Sequence, residues 1–183
     1  WVNKSNIGEE ELDQLCEVIE DRIGMQIGVE EEYSWIVFPP SIDSPHLSVM
    51  NRYYGLSKGG DIVAKGIAAR RSDTPELVVE AQEKMLEKLA RATNREEFLQ
   101  MIPESLKVIK SFGRKVREGS ITLDELVVSK KLSKDPDSYD GNVRTALAAD
   151  QLKEAGVEIR AGQQVKYIVT NADAKYPRNR VKP

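Results

Sequence analysis

Cysteine, histidine and long apolar runs are almost missing from this sequence, and each shortage excludes a class of function. Cys16 is the only cysteine, so no internal disulfide can form and no cysteine-rich zinc site is possible. His46 is the only histidine, so any Ser–His or Cys–His catalytic pair would have to use it. It stands in the loop sequence Ser44-Pro45-His46, which reads as an exposed loop histidine. No apolar run approaches the ~20 residues that a membrane span needs. The first residues, Trp1-Val2-Asn3-Lys4-Ser5, lack the basic region and apolar stretch of a signal peptide, so a cytoplasmic chain with no membrane partner is expected. There is no Gly-x-Ser-x-Gly, no phosphate-binding loop ending in Gly-Lys-Ser/Thr and no His-Glu-x-x-His. Glu30, Glu31 and Glu32 alternate across an extended segment and cannot all face one ion. Neither a metal site nor a self-contained active site is expected from the residues.

What is present is ordinary globular material: 183 residues, 40% hydrophobic and 31% charged. That length suits one large domain or two small ones. The net charge of −3 hides an asymmetry. Residues 1–104 carry 11 Lys and Arg against 20 Asp and Glu, whereas residues 105–183 carry 16 against 10. A basic second half is the one more suited to a polyanion.

Hydrophobic spacing predicts α+β organisation. Leu12, Leu15, Cys16, Ile19 and Ile23 draw one apolar stripe on a helix over 9–23. Residues 29–67 read as strands: Val29 to Phe38, Ser48 to Leu56, and Ile62 to Ala64, the last two joined through Lys58-Gly59-Gly60-Asp61 as a hairpin. A second helix over 75–92 has Thr74 as its N-cap and buries Leu77, Val78, Ala81, Met85 and Leu89. Thr93-Asn94-Arg95-Glu96 has capping-box spacing and opens a third helix. Phe98, Leu99, Ile102, Leu106, Ile109 and Phe112 keep helical period across Pro103, which must either kink that helix or start another. Beyond Gly119 come a short turn of helix at 122–125, an extended piece to Lys134, and a helix over 142–155 with Val143 facing inward. Strands follow at 157–159 and 165–169, and then a loose basic tail from Ala172. A boundary between two units is expected near residues 68–75.

The candidates for chemistry are basic and aromatic residues on extended segments. Arg52 and Tyr54 share one strand face and Tyr53 takes the other. Arg70-Arg71-Ser72-Asp73 precedes a helix. Lys130-Lys131 and Ser133-Lys134 lie near Tyr139, Asn142 and Arg144 in the basic half. These are the side-chain types that fix a protein on phosphate oxygens.

The order of these segments resembles family B DNA polymerases of the archaeal type. Trp1-Val2 is similar to the end of the palm strand that carries the Tyr-x-Asp-Thr-Asp-Ser motif. Asn51-Arg52-Tyr53-Tyr54-Gly55 occupies the place of the Lys-Lys-Arg-Tyr motif, Lys65-Gly66-Ile67 that of the Lys/Arg-Gly-apolar turn, and Arg71-Ser72-Asp73 that of Arg-Arg-Asp. Leu132-Ser133-Lys134-Asp135 with Tyr139 resembles the thumb's Ile-Thr-Arg-Asp and Tyr pattern. Ala155 to Gly162, followed by Val165 to Val169, resembles the family's Gly-rich turn and Tyr-Ile-Val stretch. There are departures: Met50 and Asn51 stand where the motif has two lysines, Ser72 replaces the second Arg of Arg-Arg-Asp, and Gly141-Asn142-Val143 replaces Pro-His-Val.

The resemblance implies a helix packed on a small antiparallel sheet, the late palm over 1–72, followed by a mainly helical thumb over 73–183. It implies part of a DNA-directed DNA polymerase gripping primer–template DNA. Arg52, Tyr53 and Arg71 would act from the palm, and Ser133, Lys134, Tyr139, Asn142 and Arg144 from the thumb. The catalytic aspartates would lie outside this chain, on a polypeptide carrying the exonuclease, palm and fingers. Mg2+ is expected for the assembled polymerase and no cofactor for this chain, which alone would not polymerise. The rival expectation is a non-catalytic interaction module whose Trp1-Val2 strand completes a partner's sheet.

Overall fold

The structure, a computed structural model, describes residues 7–139 and 142–183. The expectations placed on Trp1-Val2 and on Gly141 fall outside the described residues. The chain divides into two units, residues 1–33 and residues 34–183.

In the first unit, helix α1 spans Glu9–Ile23. Its first turn holds Glu9, Glu10 and Glu11, which suit the positive end of the helix dipole. The Glu11 carboxylate accepts the Gly8 amide at 3.0 Å, and Gly24 ends the helix in the left-handed conformation. The predicted stripe is there, with Leu12, Leu15, Cys16 and Ile19 half-buried, but no residue of α1 is fully buried and Ile23 is exposed.

The larger unit is α+β, as expected. Strands β1 (Tyr33–Val37), β2 (Tyr53–Ser57) and β3 (Ile62–Lys65) form a sheet in that order. The predicted hairpin is present: β2 and β3 pair antiparallel, Tyr53 opposite Lys65 and Leu56 opposite Ile62. Its turn closes on Ser57, whose hydroxyl accepts the Asp61 amide at 3.1 Å. Gly66 ends β3 at φ +66, and a Cβ there would lie 2.3 Å from the Asn51 carbonyl oxygen. Only glycine fits so close an approach at that φ. Asn51 itself has φ 56, a conformation that asparagine tolerates better than most residues.

Helix α2 (Glu76–Leu89) and helix α3 (Arg95–Glu118) pack against each other and on this sheet. Trp35, Leu56, Ile67, Leu86 and Leu89 are buried together, with Phe98, Met101 and Ile102 of α3 against them. The core therefore runs without a break across residues 72 and 73. Both predicted caps move one residue along. Pro75, not Thr74, is the N-cap of α2, so the helix starts at Glu76. Asn94, not Thr93, caps α3: its side chain accepts the Glu97 amide at 2.9 Å. The Glu97 carboxylate returns to the amide and hydroxyl of Thr93, and these bonds hold it below the usual glutamate range.

Pro103 lies inside a continuous helix. The bond it removes is the one to the Leu99 carbonyl, one turn back on a face where Leu99 is exposed, so water can take the freed oxygen. Two of the predicted stripes are only partly buried. Leu99, Leu106 and Ile109 of α3 and Val78 of α2 are exposed, because the inward face of α3 runs instead through Met101, Ser105 and Phe112.

Strand β4 (Val128–Lys131) pairs antiparallel with β5 (Gln164–Val169), and β5 pairs antiparallel with β6 (Val181–Lys182). Helix α4 (Arg144–Glu154) packs on this second sheet, joining Ala148 and Ala149 to Leu132, Val165, Tyr167 and Val181 in one core. Two expectations are corrected here. Residues 157–159 form no strand: β5 is the central strand and takes its partners from β4 and β6 instead. The tail is not loose: Val181 is fully buried, Thr170 N donates to Arg180 O at 3.0 Å, and Gln151 Nε2 donates to Val181 O at 3.1 Å. Val143, expected to face inward, is the exposed N-cap of α4.

Candidate nucleic-acid interface

The second sheet and the start of α2 enclose an open groove of about 400 Å³. Arg71, Asp73 and Thr74 line it from the turn before α2, Lys130 from β4, and Arg144 and Thr145 from the first turn of α4. Side chains far apart in sequence thus meet in one groove.

Asp73 organises the cations. Arg71 Nε donates to Asp73 Oδ1 at 3.0 Å and Arg71 Nη2 to Oδ2 at 2.9 Å, a two-pronged pair. Lys130 Nζ stands 3.4 Å from the same Oδ2. The hydrogen bond from Arg71 holds the Asp73 carboxyl below the usual aspartate range, and Lys130 adds to the effect against partial burial. Arg71 is raised in turn by the same bond. Three cations against one carboxylate leave the groove positive, with the Arg71 and Lys130 side chains about half exposed and able to reach a phosphate.

A carboxyl whose folded-state pKa is depressed adds stability above its unfolded value and loses it as pH falls through the folded one. Asp73→Asn is therefore expected to lower the urea midpoint at pH 7. The difference from the parent protein should vanish at a pH below the depressed Asp73 value, where the parent's own carboxyl is protonated. A difference that persists unchanged in acid would mean that Asp73 does not titrate as this geometry requires.

A second group sits on the turn after β4. The Tyr139 hydroxyl accepts the Ser133 amide at 2.9 Å, lies 3.1 Å from Ser133 Oγ, and is 3.4 Å from the Lys134 amide. These bonds, that with the Ser133 side chain first, lower its pKa. Lys134 Nζ stands 5.1 Å from the Tyr139 ring centroid. Asp135 Oδ1 accepts the Ala161 amide at 2.8 Å, so the turn is anchored to the loop before β5. Tyr139 fixes the turn, and Lys134 is the group left facing out.

The residues singled out from sequence divide accordingly. Arg71 and Arg144 share the groove, and Ser133, Lys134 and Tyr139 share the turn. Asn142 is exposed just before α4. Arg52 is exposed at the start of β2, while Tyr53 is half-buried with its ring centroid 6.1 Å from that of Phe38. Neither belongs to the groove. Lys130 and Asp73 were visible in sequence only as members of charged pairs; nothing local signalled that they would meet.

Comparison with known proteins gives this arrangement a context. The sequence model described as DNA polymerase family B matches residues 47–182. The chain belongs to family B of the DNA polymerases. It is 28% identical to a DNA polymerase of Archaeoglobus fulgidus over 182 residues, which is 97% of this chain and 21% of that relative. It is 26% identical to DNA polymerase 2 of Aeropyrum pernix, over 88% of this chain and 18% of the relative. This family B chain thus spans about a fifth of the length of the curated relatives it matches. Its fold is similar to part of the family B DNA polymerase from the hyperthermophilic archaeon Pyrobaculum calidifontis. The TM-score is 0.61 at 24% identity, over 96% of this chain and 21% of the other.

Two-metal chemistry needs carboxylates that hold ions ~3.5–4 Å apart. No group of three or more His, Cys, Asp or Glu side chains among the described residues could hold an ion. The groove's carboxylate, Asp73, is committed to Arg71 and Lys130. The described residues of this family B chain do not fit Mg2+. No helix among them is long and apolar enough to cross a membrane.

Proposed function

We propose that this chain grips primer–template duplex as part of a family B DNA polymerase, with the catalytic aspartates on residues outside it. The palm would end near residue 72 and the thumb would occupy 73–183. A polypeptide carrying the exonuclease, remaining palm and fingers would complete the enzyme, and Mg2+ would be bound there. The observation that carries this reading is the groove, in which Arg71, Lys130 and Arg144 converge from three separate elements. Lys134 on the adjoining turn, and Arg52 and Asn142 at exposed positions, would add contacts to the same backbone. Such contacts read no sequence, because phosphates carry none.

The test is fluorescence anisotropy of a labelled mixed-sequence duplex with the full chain, titrated across salt. Each phosphate neutralised contributes about −0.9 to the slope of log K against log salt. The three groove cations predict a slope of about −3 or steeper by that relation. Binding that ignores salt between about 50 and 200 mM sinks the proposal. The isolated chain is expected to incorporate no nucleotide in a primer-extension assay with Mg2+ present.

A further inference from the structure

We infer that the sheet face opposite the groove is a second binding surface for the sugar–phosphate backbone of duplex nucleic acid. The inference rests on the DNA-gripping reading only for its choice of polyanion.

Register places the residues. In antiparallel pairs, directly opposed side chains share a face. Lys131 stands opposite Gln164 and Ser129 opposite Lys166. Lys182 stands opposite Ile168. Residues 164, 166 and 168 alternate out to the same side of β5, so Lys131, Lys166 and Lys182 lie on one face, one from each strand. Val165, Tyr167 and Val181 take the other side and are buried against α4. The three lysines step diagonally across the sheet. At ~3.4 Å per residue along a strand and ~4.8 Å between strands, neighbours are roughly 8 Å apart.

Two observations mark the face as more than a solvated sheet surface. All three lysines are exposed, and among the described residues none lies within ion-pair distance of a carboxylate, whereas Lys130 on the groove side is held by Asp73. The other side chains that register puts there, Ser129, Gln164 and Ile168, are neutral.

The same register selects duplex over single strand. Binding to a single strand stacks bases on exposed aromatic rings. This face offers none, since Tyr167 points to the core. Flexible lysines spaced along a diagonal instead suit a rigid array carrying one charge per ~3.4 Å of each strand.

The experiment compares two variants of the full chain by anisotropy against a labelled mixed-sequence duplex and a single strand of the same length. One is K131Q/K166Q/K182Q and the other R71Q/K130Q/R144Q. Circular dichroism of both must match the parent. The expected result is that the face variant flattens the duplex salt slope by about 2–3 units and weakens duplex binding at least tenfold. Amide shifts of Ser129 and Lys166 should also move when duplex is titrated into the parent protein. An unchanged slope in the face variant overturns the inference, while a loss in the groove variant alone leaves the groove reading standing. Loss in the face variant alone keeps the inference and removes the groove assignment. A face variant impaired for the single strand and not for duplex also overturns it.

Discussion

Replacing Arg71, Lys130 and Arg144 together by glutamine is expected to weaken duplex binding by about 100- to 1,000-fold near 0.1 M salt, on contacts of ~1–1.4 kcal/mol each. The three side chains come from the turn before α2, from β4 and from the first turn of α4, and all three line one groove. A charge-assisted contact to phosphate is roughly twice as strong as a neutral one, and at 1.4 kcal/mol per tenfold three of them reach that range. The singles should not add up to the triple. Arg71 and Lys130 share the Asp73 carboxylate, at 2.9 Å and 3.4 Å, so removing Arg71 leaves Lys130 drawn closer to Asp73 and less available to DNA. Arg144 makes no ion pair with Asp73, so Arg144→Gln should report one contact alone, about tenfold with a slope change near 1. A triple variant that binds within about threefold of the parent would exclude the groove as the grip. Glutamine keeps much of the length and the polarity of the side chains, so the loss reads charge rather than packing.

What could be read from the sequence follows from how local each signal is. The helices at 9–23, 76–89 and 95–118 carry their own periodicity, and the β2–β3 hairpin carries its own turn, so both are legible within a window of about a dozen residues. The tail is the contrary case. Val181 is a lone apolar residue between Arg180 and Lys182, and its burial comes from pairing with Val169, a partner that no local pattern names. The same non-local pairing accounts for the strand wrongly expected at 157–159. That segment has strand-like residues, but strand β5 takes its partners from β4 and β6. The split of the α3 stripe has a similar origin: Leu106 and Ile109 obey the helical period, yet the face that meets the core is set by how α3 lies on α2 and the first sheet. For the interface, sequence supplied the residue types and, through family resemblance, their order. It could not supply the Arg71–Asp73–Lys130 cluster, because Lys130 reaches the other two from a strand far along the chain.

Trp35→Ala is expected to destabilise the larger unit by about 4 kcal/mol, the largest effect of any single substitution considered. Trp35 is the buried residue of β1 on which three other segments converge. Its ring centroid lies 4.7 Å from that of Phe98 on α3 and 6.3 Å, edge-on, from that of Tyr54 on β2. Its Nε1–H donates to the Ala92 carbonyl at 2.8 Å in the connection between α2 and α3. Alanine removes the apolar volume, the aromatic pairs and that donor together, and leaves a cavity that a sheet and two helices can only partly close. Trp35→Phe separates these contributions. It keeps a ring against Phe98 and loses the indole donor, so about 1–2 kcal/mol is expected from the unpaired carbonyl and the smaller volume. Urea unfolding should show both midpoints falling with little change in slope, because the surface exposed on unfolding is nearly the same. The core that Trp35 anchors also holds Ile67, which begins the segment leading to Arg71 and Asp73. Below its melting temperature, however, the alanine variant should keep the salt slope of the parent, since it removes no charge. Stability and grip are thereby separable: a Trp35→Ala protein that is folded yet has lost its salt-dependent binding would show that the groove depends on the seating of the first sheet and not on its cations alone.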